Sequence, residues 1–248
     1  MLELVNIHKA FGENHVLSGT NLFFKKGNIY TIVGGNGSGK STIFNIITGF
    51  LKSDSGEIYY NRKRISNTSP IIINHLGITR TFQDVRLISD LSVLDNILLA
   101  FKNNPGENIL KAILPSQFFK SQYIKYVKEA EMIIEKIHLI DHKNILAKEL
   151  SFGQQKLLSI GCCVANGADV LLLDEPVSGI DEENYLRIFN LIIELKKENK
   201  TIVQIEHNHK FIKNLSDGIY FLYNGKSNYF ENYDLFINNE IVKKVYLK

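Results

Sequence analysis

Residues 34–42 read Gly-Gly-Asn-Gly-Ser-Gly-Lys-Ser-Thr, which matches the spacing G-x-x-x-x-G-K-S. The apolar run 29–33 comes directly before this stretch and is long enough for one buried strand. The run 43–47, closed by Gly49, predicts a helix directly after it. The alternative is a glycine-rich turn before an ordinary helix. This alternative would not account for the preceding strand or for the Lys-Ser pair. Strand, loop and helix together predict a phosphate-binding loop.

The loop residues would divide the work of holding a nucleotide. Glycines allow successive backbone N–H groups to point at a phosphate, and the N-terminus of the next helix adds partial positive charge. Lys40 can reach the β- and γ-phosphates, and the Ser41 hydroxyl can bind magnesium. The residues predicted to bind nucleotide here are Gly34, Gly35, Asn36, Gly37, Ser38, Gly39, Lys40, Ser41 and Thr42.

Two more apolar runs end in chemically useful side chains. The run 170–173 ends in Asp174 and Glu175, and the run 201–205 leads to Glu206 and His207. Continuous apolar strands that alternate with helices predict an α/β fold with a parallel sheet covered on both faces. Ligands in such sheets bind beyond the carboxyl ends of the strands, where these side chains fall. We also expect strands at 2–7, 21–24, 56–61 and 77–82, and helices at 151–165 and 181–198.

The middle of the chain has a different pattern. Ser92 is the expected N-cap of a helix that residues 103–106 break, and a longer helix is expected over 121–140. No β alternation interrupts this region. We therefore expect a single domain over residues 1–248, with a core of 1–83 and 151–248 and an inserted helical subdomain at about 84–150.

Composition excludes several classes of protein. The 29 basic and 26 acidic residues give a formal charge of +3, which is too small to imply nucleic-acid binding by itself. Cys162 and Cys163 are adjacent, so we expect neither a disulfide nor a metal site but small helix residues in a reducing compartment. No apolar run is long enough to span a bilayer, and the N-terminus lacks the pattern of a signal peptide. We expect a cytosolic protein unless a partner holds it at a membrane.

Two further motifs extend the argument beyond a phosphate loop. Residues 150–155 read Leu-Ser-Phe-Gly-Gln-Gln, and residues 171–176 read Leu-Leu-Leu-Asp-Glu-Pro. Together with the loop, and in this order, they resemble the ATP-binding-cassette ATPases over nearly the whole chain. The resemblance implies a P-loop NTPase core, a mostly parallel sheet flanked by helices, with an antiparallel β subdomain and an inserted α-helical subdomain. It also implies hydrolysis of ATP with Mg²⁺ by a head-to-tail dimer that encloses two ATP molecules.

The same resemblance assigns roles to single residues. Glu175 matches the general base, His207 the switch histidine that contacts the γ-phosphate, and Gln83 the glutamine that senses magnesium and the γ-phosphate. The implied metal ligands are Ser41, Gln83 and Asp174, the last through water. Helix capping is the alternative for the two carboxylates.

Other residues of the resemblance would complete the nucleotide site. Phe11 stands where the family places an aromatic that stacks on adenine, with a core aromatic as the alternative. Across the dimer, Ser151 and the Gly153 backbone would clamp the partner's γ-phosphate, and Asp181 would reach the partner. Phe152 and Gln154 of the same signature complete the residues predicted to bind nucleotide.

Residues 79–87 are similar to the ATPases of branched-chain amino-acid and urea importers. The segment 240–247 fits those proteins and also the ATPase of the lipopolysaccharide exporter, which is the nearest alternative. A soluble cassette ATPase that acts on nucleic acid or the ribosome, and a non-catalytic scaffold, are further alternatives. An importer implies transmembrane permease subunits, a second ATPase subunit and, indirectly, a solute-binding protein, at the cytoplasmic face of the membrane, with no direct nucleic-acid contact. The solute, the direction of transport and the homo- or heteromeric nature of the dimer stay open.

Overall fold

A computed structural model describes residues 1–81, 87–102 and 116–246; for 116–122 it describes the backbone alone. The chain divides into two compact units. The sheet unit consists of Met1–Arg80, Asp169–Ser178 and Ile192–Lys248, and the helical unit of Thr81–Ala168 and Gly179–Leu191.

The sheet unit contains two β-sheets. Its strands are β1 (Leu2–Phe11), β2 (Asn14–Phe24), β3 (Ile29–Gly34), β4 (Ser55–Tyr60), β5 (Lys63–Arg64), β6 (Ile78–Arg80), β7 (Val170–Asp174), β8 (Thr201–Ile205), β9 (Gly218–Tyr223) and β10 (Lys226–Phe230). The antiparallel sheet has the order β2-β1-β4-β5. The other sheet has the order β10-β9-β3-β8-β7-β6, in which only the β10–β9 pair is antiparallel. This is the α/β fold with an antiparallel subdomain that the sequence predicts.

The register of the parallel sheet brings three strand ends to one line. Ile32 of β3 and Asp174 of β7 both pair with Ile205 of β8, which lies between them. Every residue of these three strands is buried, because helices cover both faces of such a sheet. The residues that follow the three strands therefore meet at one edge.

Helices of the sheet unit are α1 (Lys40–Ile47), α2 (Pro70–His75), α7 (His209–Leu215), α8 (Tyr233–Asn238) and α9 (Glu240–Val245). Proline opens α2, where its missing N–H costs nothing. A separate apolar cluster joins β3 to the C-terminal elements; its buried members are Val33, Ile212, Ile219, Phe221, Phe236 and Val242. The C-terminal segment is therefore packed against the strand that carries the phosphate loop.

The helical unit is built on α3 (Val93–Ala100), α4 (Ser116–Lys136) and α5 (Phe152–Ala165). Ser92 caps α3, as predicted, because its Oγ accepts the N–H of Asp95 at 3.0 Å. A Cβ at Gly161 would stand 2.8 Å from Ile137 Cδ1, so α5 approaches its neighbours closely at this glycine. The Sγ of Cys162 donates to the carbonyl of Asn96, and burial raises the pKa of this thiol to about 12. Neither cysteine forms a disulfide.

The structure corrects some predicted bounds. The helix expected to end at residue 140 ends at Lys136, because His138 takes the left-handed conformation with φ 57°. Glu175 follows β7 directly and has a φ of 49°. The predicted break at 103–106 lies outside the described residues, and the bounds of the helical insertion stay a prediction. The remaining helix, α6 (Glu182–Lys197), is one residue shorter at each end than expected. No helix among the described residues has the length and apolarity to cross a bilayer.

Candidate active site

The stretch between β3 and α1 has the geometry of a phosphate cradle. Gly37 and Gly39 have φ of 75° and 99°, values that suit glycine and turn the backbone sharply. A Cβ at Gly34 would lie 2.5 Å from the Oγ of Ser38, so only glycine fits there. The Nζ of Lys40 donates to the carbonyls of Gly34 and Gly35, at 2.7 and 2.9 Å. The lysine thus lies folded over its own loop.

Two observations in this cradle fit a phosphate anion. The Oγ of Ser38 is buried without a hydrogen-bond partner among the described residues. Burial lowers the pKa of Lys40, although the negative charges of Glu175 and Asp174 oppose this shift. Phosphate oxygens would supply both an acceptor for the hydroxyl and a counter-charge for the ammonium. Of the other predicted loop residues, Asn36 and Ser41 are exposed and Thr42 is half-buried at the start of α1.

Asp174 forms a buried ion pair that sequence reasoning missed. Its Oδ2 lies 2.6 Å from Nη2 of Arg80, and each side chain is only 6% exposed. Arg80 also donates from Nη1 to Oδ1 of Asn45 and lies over the ring of Phe44. One arginine on β6 therefore connects the carboxylate at the end of β7 to the helix of the phosphate loop.

Glu175 occupies a strained position at the edge of the sheet. A positive φ is uncommon for a glutamate, and such strain is concentrated at functional sites. Its N–H donates to the carbonyl of Ile205, and its half-buried carboxylate lies 3.9 Å from Nε2 of His207. The predicted general base and the predicted switch histidine are thus brought together.

Glu206 supports the backbone around this pair. Sequence reasoning assigned this residue no role in the site. It is 2% exposed, and its carboxylate accepts the N–H groups of Val177, His207 and Asn208 at 3.0, 2.8 and 3.0 Å. One buried carboxylate therefore ties the loop after Glu175 to the turn that carries the histidine.

The surroundings of His207 disfavour the protonated form of its imidazole. Burial lowers the pKa of this imidazole, with a further contribution from the positive charge of Lys40, while Glu175 and Glu206 oppose the shift. Its Nδ1 lies 3.1 Å from the hydroxyl of Tyr246. A neutral imidazole can present an N–H from one ring nitrogen and a lone pair from the other.

Phe11 lies at the end of β1 and is 52% exposed, which excludes the core as its role. Lys9 Nζ lies 5.5 Å from the ring centroid, so one face is next to a cation. Stacking of this ring on adenine stays a prediction.

In the helical unit, the signature residues form the N-terminus of α5. Ser151 and Gln154 make a reciprocal capping box: Ser151 Oγ accepts the N–H of Gln154, whose Oε1 accepts the N–H of Ser151. Phe152 is exposed, and the ammonium of Lys156 lies 4.9 Å from the centroid of its ring. The capped end leaves the first N–H groups of a 14-residue helix available for an anion.

Gly153 and Asp181 are connected through Asn184. A Cβ at Gly153 would lie 2.7 Å from the side chain of Asn184, and Asp181 binds the backbone and side-chain N–H groups of Asn184 at 2.9 and 2.7 Å. The backbone bond, as the main cause, lowers the pKa of Asp181. Asp181 is exposed. Its contact with a partner subunit stays a prediction.

Two of the three residues predicted to bind magnesium lie in the described part of the chain. The hydroxyl of Ser41 and the carboxylate of Asp174 are both hard oxygen donors, which this cation prefers. Gln83, the third predicted ligand, lies outside the described residues.

A glycine loop between β3 and α1, together with carboxylates at the end of β7, defines a P-loop NTPase. One strand, β8, lies between β3 and β7 in the sheet. Within that class, residues 17–178 match the family model described as ABC transporter. The chain belongs to the ATP-binding-cassette family, and it is a nucleotide-binding ATPase of that family, as the sequence motifs imply.

Known proteins of this family are similar to this chain over almost its full length. LivG of Methanocaldococcus jannaschii, a probable branched-chain amino acid transport ATP-binding protein, is 37% identical in an alignment of 236 residues that covers 91% of this chain and 87% of LivG. A crystal structure of the ADP conformation of an ATP-binding cassette of an ABC transporter has a TM-score of 0.84 at 33% identity and covers 100% of this chain and 98% of that one. A dimeric cassette in a post-hydrolysis state, bound to ADP and Pi, has a TM-score of 0.76 at 26% identity and covers 93% and 98%.

Proposed function

We propose that this chain is the ATP-hydrolysing subunit of a membrane importer for branched-chain amino acids or a related small polar solute. The support for this solute class is the 37% identity to LivG over 91% of the chain. The support for hydrolysis is one observation: the Glu175 carboxylate and the His207 imidazole face each other where the sheet register also brings the phosphate loop.

In this mechanism Glu175 accepts a proton from the attacking water while His207 donates an N–H to a γ-phosphate oxygen. Lys40 leaves the carbonyls of Gly34 and Gly35 and pairs with the phosphates, because an anion is a better partner for its ammonium than a neutral carbonyl. A general base contributes about 10²–10⁴-fold to the rate. Ser41 and Asp174 would hold a magnesium ion, which would supply positive charge to the phosphate oxygens.

We also propose that two copies, or this chain and a close relative, close around two nucleotides. Ser151 and the backbone of Gly153 would clamp the γ-phosphate bound by the other subunit. The N-terminus of α5 suits this task because its partial positive charge is capped but not neutralised. The dimeric post-hydrolysis relative supports such an arrangement. Hydrolysis then depends on closure, which lets ATP act as a switch.

The helical unit would receive the permease, which would hold the chain at the cytoplasmic face of the membrane. Ile88 and Leu99 are 52% and 50% exposed in this unit and are candidate contacts. Val93 of the same segment is fully buried and belongs to the core of the helical unit. Leu87 and Leu91 are half-buried.

Reconstitution tests this function. The chain is purified from membranes with the permease that accompanies it, placed in proteoliposomes, and supplied with a leucine-loaded solute-binding protein. We expect leucine uptake that requires ATP and magnesium. The Ile88→Asp variant should uncouple hydrolysis from uptake, whereas Ile71→Asp, at a site 71% exposed in the sheet unit, should not. Export of a lipid, or hydrolysis stimulated by RNA and not by the permease, would overturn the proposal.

A further inference from the structure

Two histidine–tyrosine pairs lie side by side at the C-terminal end of the sheet unit. Nδ1 of His207 lies 3.1 Å from the hydroxyl of Tyr246, and Nδ1 of His209 lies 2.9 Å from the hydroxyl of Tyr233. The two pairs have the same chemistry, but only His207 also faces the predicted general base. The His207–Tyr246 pair is therefore a candidate for a role in hydrolysis, and the His209–Tyr233 pair is its matched control.

The surroundings of His207 decide which ring nitrogen carries the proton. Its Nε2 faces the Glu175 carboxylate, which has acceptors only, and phosphate oxygens would likewise be acceptors. The other charged or titratable groups that act on the ring are Lys40, Glu206 and His209, and the net effect, in which burial is the largest cause, disfavours the protonated ring. A neutral ring with its proton on Nε2 leaves a lone pair on Nδ1, so the hydroxyl of Tyr246 must be the donor in this pair. Burial raises the pKa of Tyr246 to about 12, which keeps that proton in place.

The position of Tyr246 is fixed by the core of the sheet unit. Its backbone N–H donates to the carbonyl of Val242 at 2.8 Å. Its ring packs against Phe221 and Phe236, with centroid distances of 6.1 and 6.0 Å, and both phenylalanines are buried. The ring also stacks on that of His207, with an interplanar angle of 29°. The hydroxyl is therefore presented to Nδ1 by a rigid apolar support and not by a free chain end.

We propose that Tyr246 is a positioning residue for hydrolysis: its hydroxyl donates to Nδ1 of His207 and keeps the Nε2–H directed at the catalytic edge. Without this bond the ring can turn about its χ2 torsion or adopt the other tautomer, and either change points a lone pair at the acceptors. This inference rests on the proposed role of His207 in hydrolysis. It adds a residue 39 positions further along the chain to that role.

The test compares Tyr246→Phe with Tyr233→Phe in the full chain, since each removes one hydroxyl and keeps the ring. Nitrogen NMR of labelled histidine should show the Nε2–H tautomer of His207 in the unmodified chain and in Tyr233→Phe. In Tyr246→Phe we expect a mixture of tautomers and a kcat for ATP lower by about fivefold, the effect of one neutral hydrogen bond, with KM unchanged.

An unchanged tautomer in Tyr246→Phe, or an equal loss of kcat in Tyr233→Phe, would overturn the positioning role. Circular dichroism and unfolding midpoints of both variants separate loss of orientation from loss of the C-terminal packing. The His207→Ala variant tests the proposed function separately. Normal turnover in it would remove the histidine from hydrolysis, and the tautomer measurement would still decide whether Tyr246 orients the ring.

Discussion

The Nε2 atom of His207 lies 3.9 Å from Oε1 of Glu175, although the two residues follow different strands. Because Asp174 pairs with Ile205 across β7 and β8, Glu175 lies one residue and His207 two residues beyond the same line of the sheet. The distance is too long for a hydrogen bond, which leaves space for a water or a phosphate oxygen to approach both groups. The consequences can be tested residue by residue.

Replacing Glu175 by Gln should keep ATP binding and reduce phosphate release by at least about a hundredfold, because the amide cannot accept the proton of the attacking water. We also expect a stable ATP-bound dimer in gel filtration. Glu182→Gln, at an exposed carboxylate in the first turn of α6, is the control and should turn over normally. Near-normal turnover of Glu175→Gln would remove this residue from its role.

Replacing Lys40 by Ala should weaken ATP binding by roughly ten- to a hundredfold, the loss of a charged hydrogen-bond donor to the phosphates. Isothermal titration in the presence of magnesium measures this change. The control is Lys25→Ala, whose side chain is exposed in the turn after β2. Equal affinities of the Lys40 variant and the unmodified chain would contradict the assignment of the loop.

Replacing Arg80 by Met should destabilise the fold by about 3–5 kcal/mol, because the Asp174 carboxylate would stay buried without its partner. Urea unfolding measures the free-energy change. The double variant Arg80→Met with Asp174→Asn should recover part of it, since the amide carries no charge. Lys9→Met breaks an ion pair of the same 2.6 Å length at a more exposed position and should cost less than about 1 kcal/mol. If both single variants unfold at the same urea concentration, the buried ion pair contributes no more to stability than the exposed one.

The lowered pKa of His207 gives a pH dependence of stability with a definite sign. The folded chain disfavours the protonated imidazole, so the unfolded chain binds more protons below its ordinary pKa of 6.5. This contribution is fully favourable above pH 6.5 and is lost as the pH falls. Unfolding midpoints at pH 7.5 and 5.5 should therefore show that His207→Gln gains stability relative to the unmodified chain at the lower pH. His15→Gln, at an exposed site, should show no such gain, and a gain of equal size there would refute the explanation.

Replacing Gly153 by Ala should cost about 1–3 kcal/mol, because the new methyl group would overlap the side chain of Asn184. Thermal and urea unfolding measure the change. Gly35→Ala is the matched control: its Cβ would meet no atom within 4 Å, and its effect on stability should stay within about 0.5 kcal/mol. A silent Gly153 variant would show that α5 can move away from Asn184.

Much of the fold could be predicted because its central strands are buried on both faces. The runs that form β3, β7 and β8 are continuously apolar, and the loop motif locates the site beyond them. The hairpin of β9 and β10 was missed although it carries a signal: Asn224 and Gly225 have φ of 48° and 70° and form the Asn-Gly turn typical of hairpins.

The supporting residues of the site could not be predicted, for a physical reason. Arg80, Glu206 and Tyr246 act through tertiary contacts, and each has an ordinary appearance in the sequence. A buried glutamate after a strand reads like any polar residue at a strand end. The tyrosine is recognisable only when the C-terminal elements fold back on β3.

Glu206 sets a limit on how the site can change state. Its two carboxylate oxygens accept hydrogen bonds from three backbone N–H groups in two loops. A shift of either loop by about an ångström would therefore leave a buried negative charge without some of its hydrogen bonds. These three hydrogen bonds favour a fixed main chain around the histidine. We therefore expect any change of state at this edge to involve side chains and bound nucleotide and not a movement of the main chain.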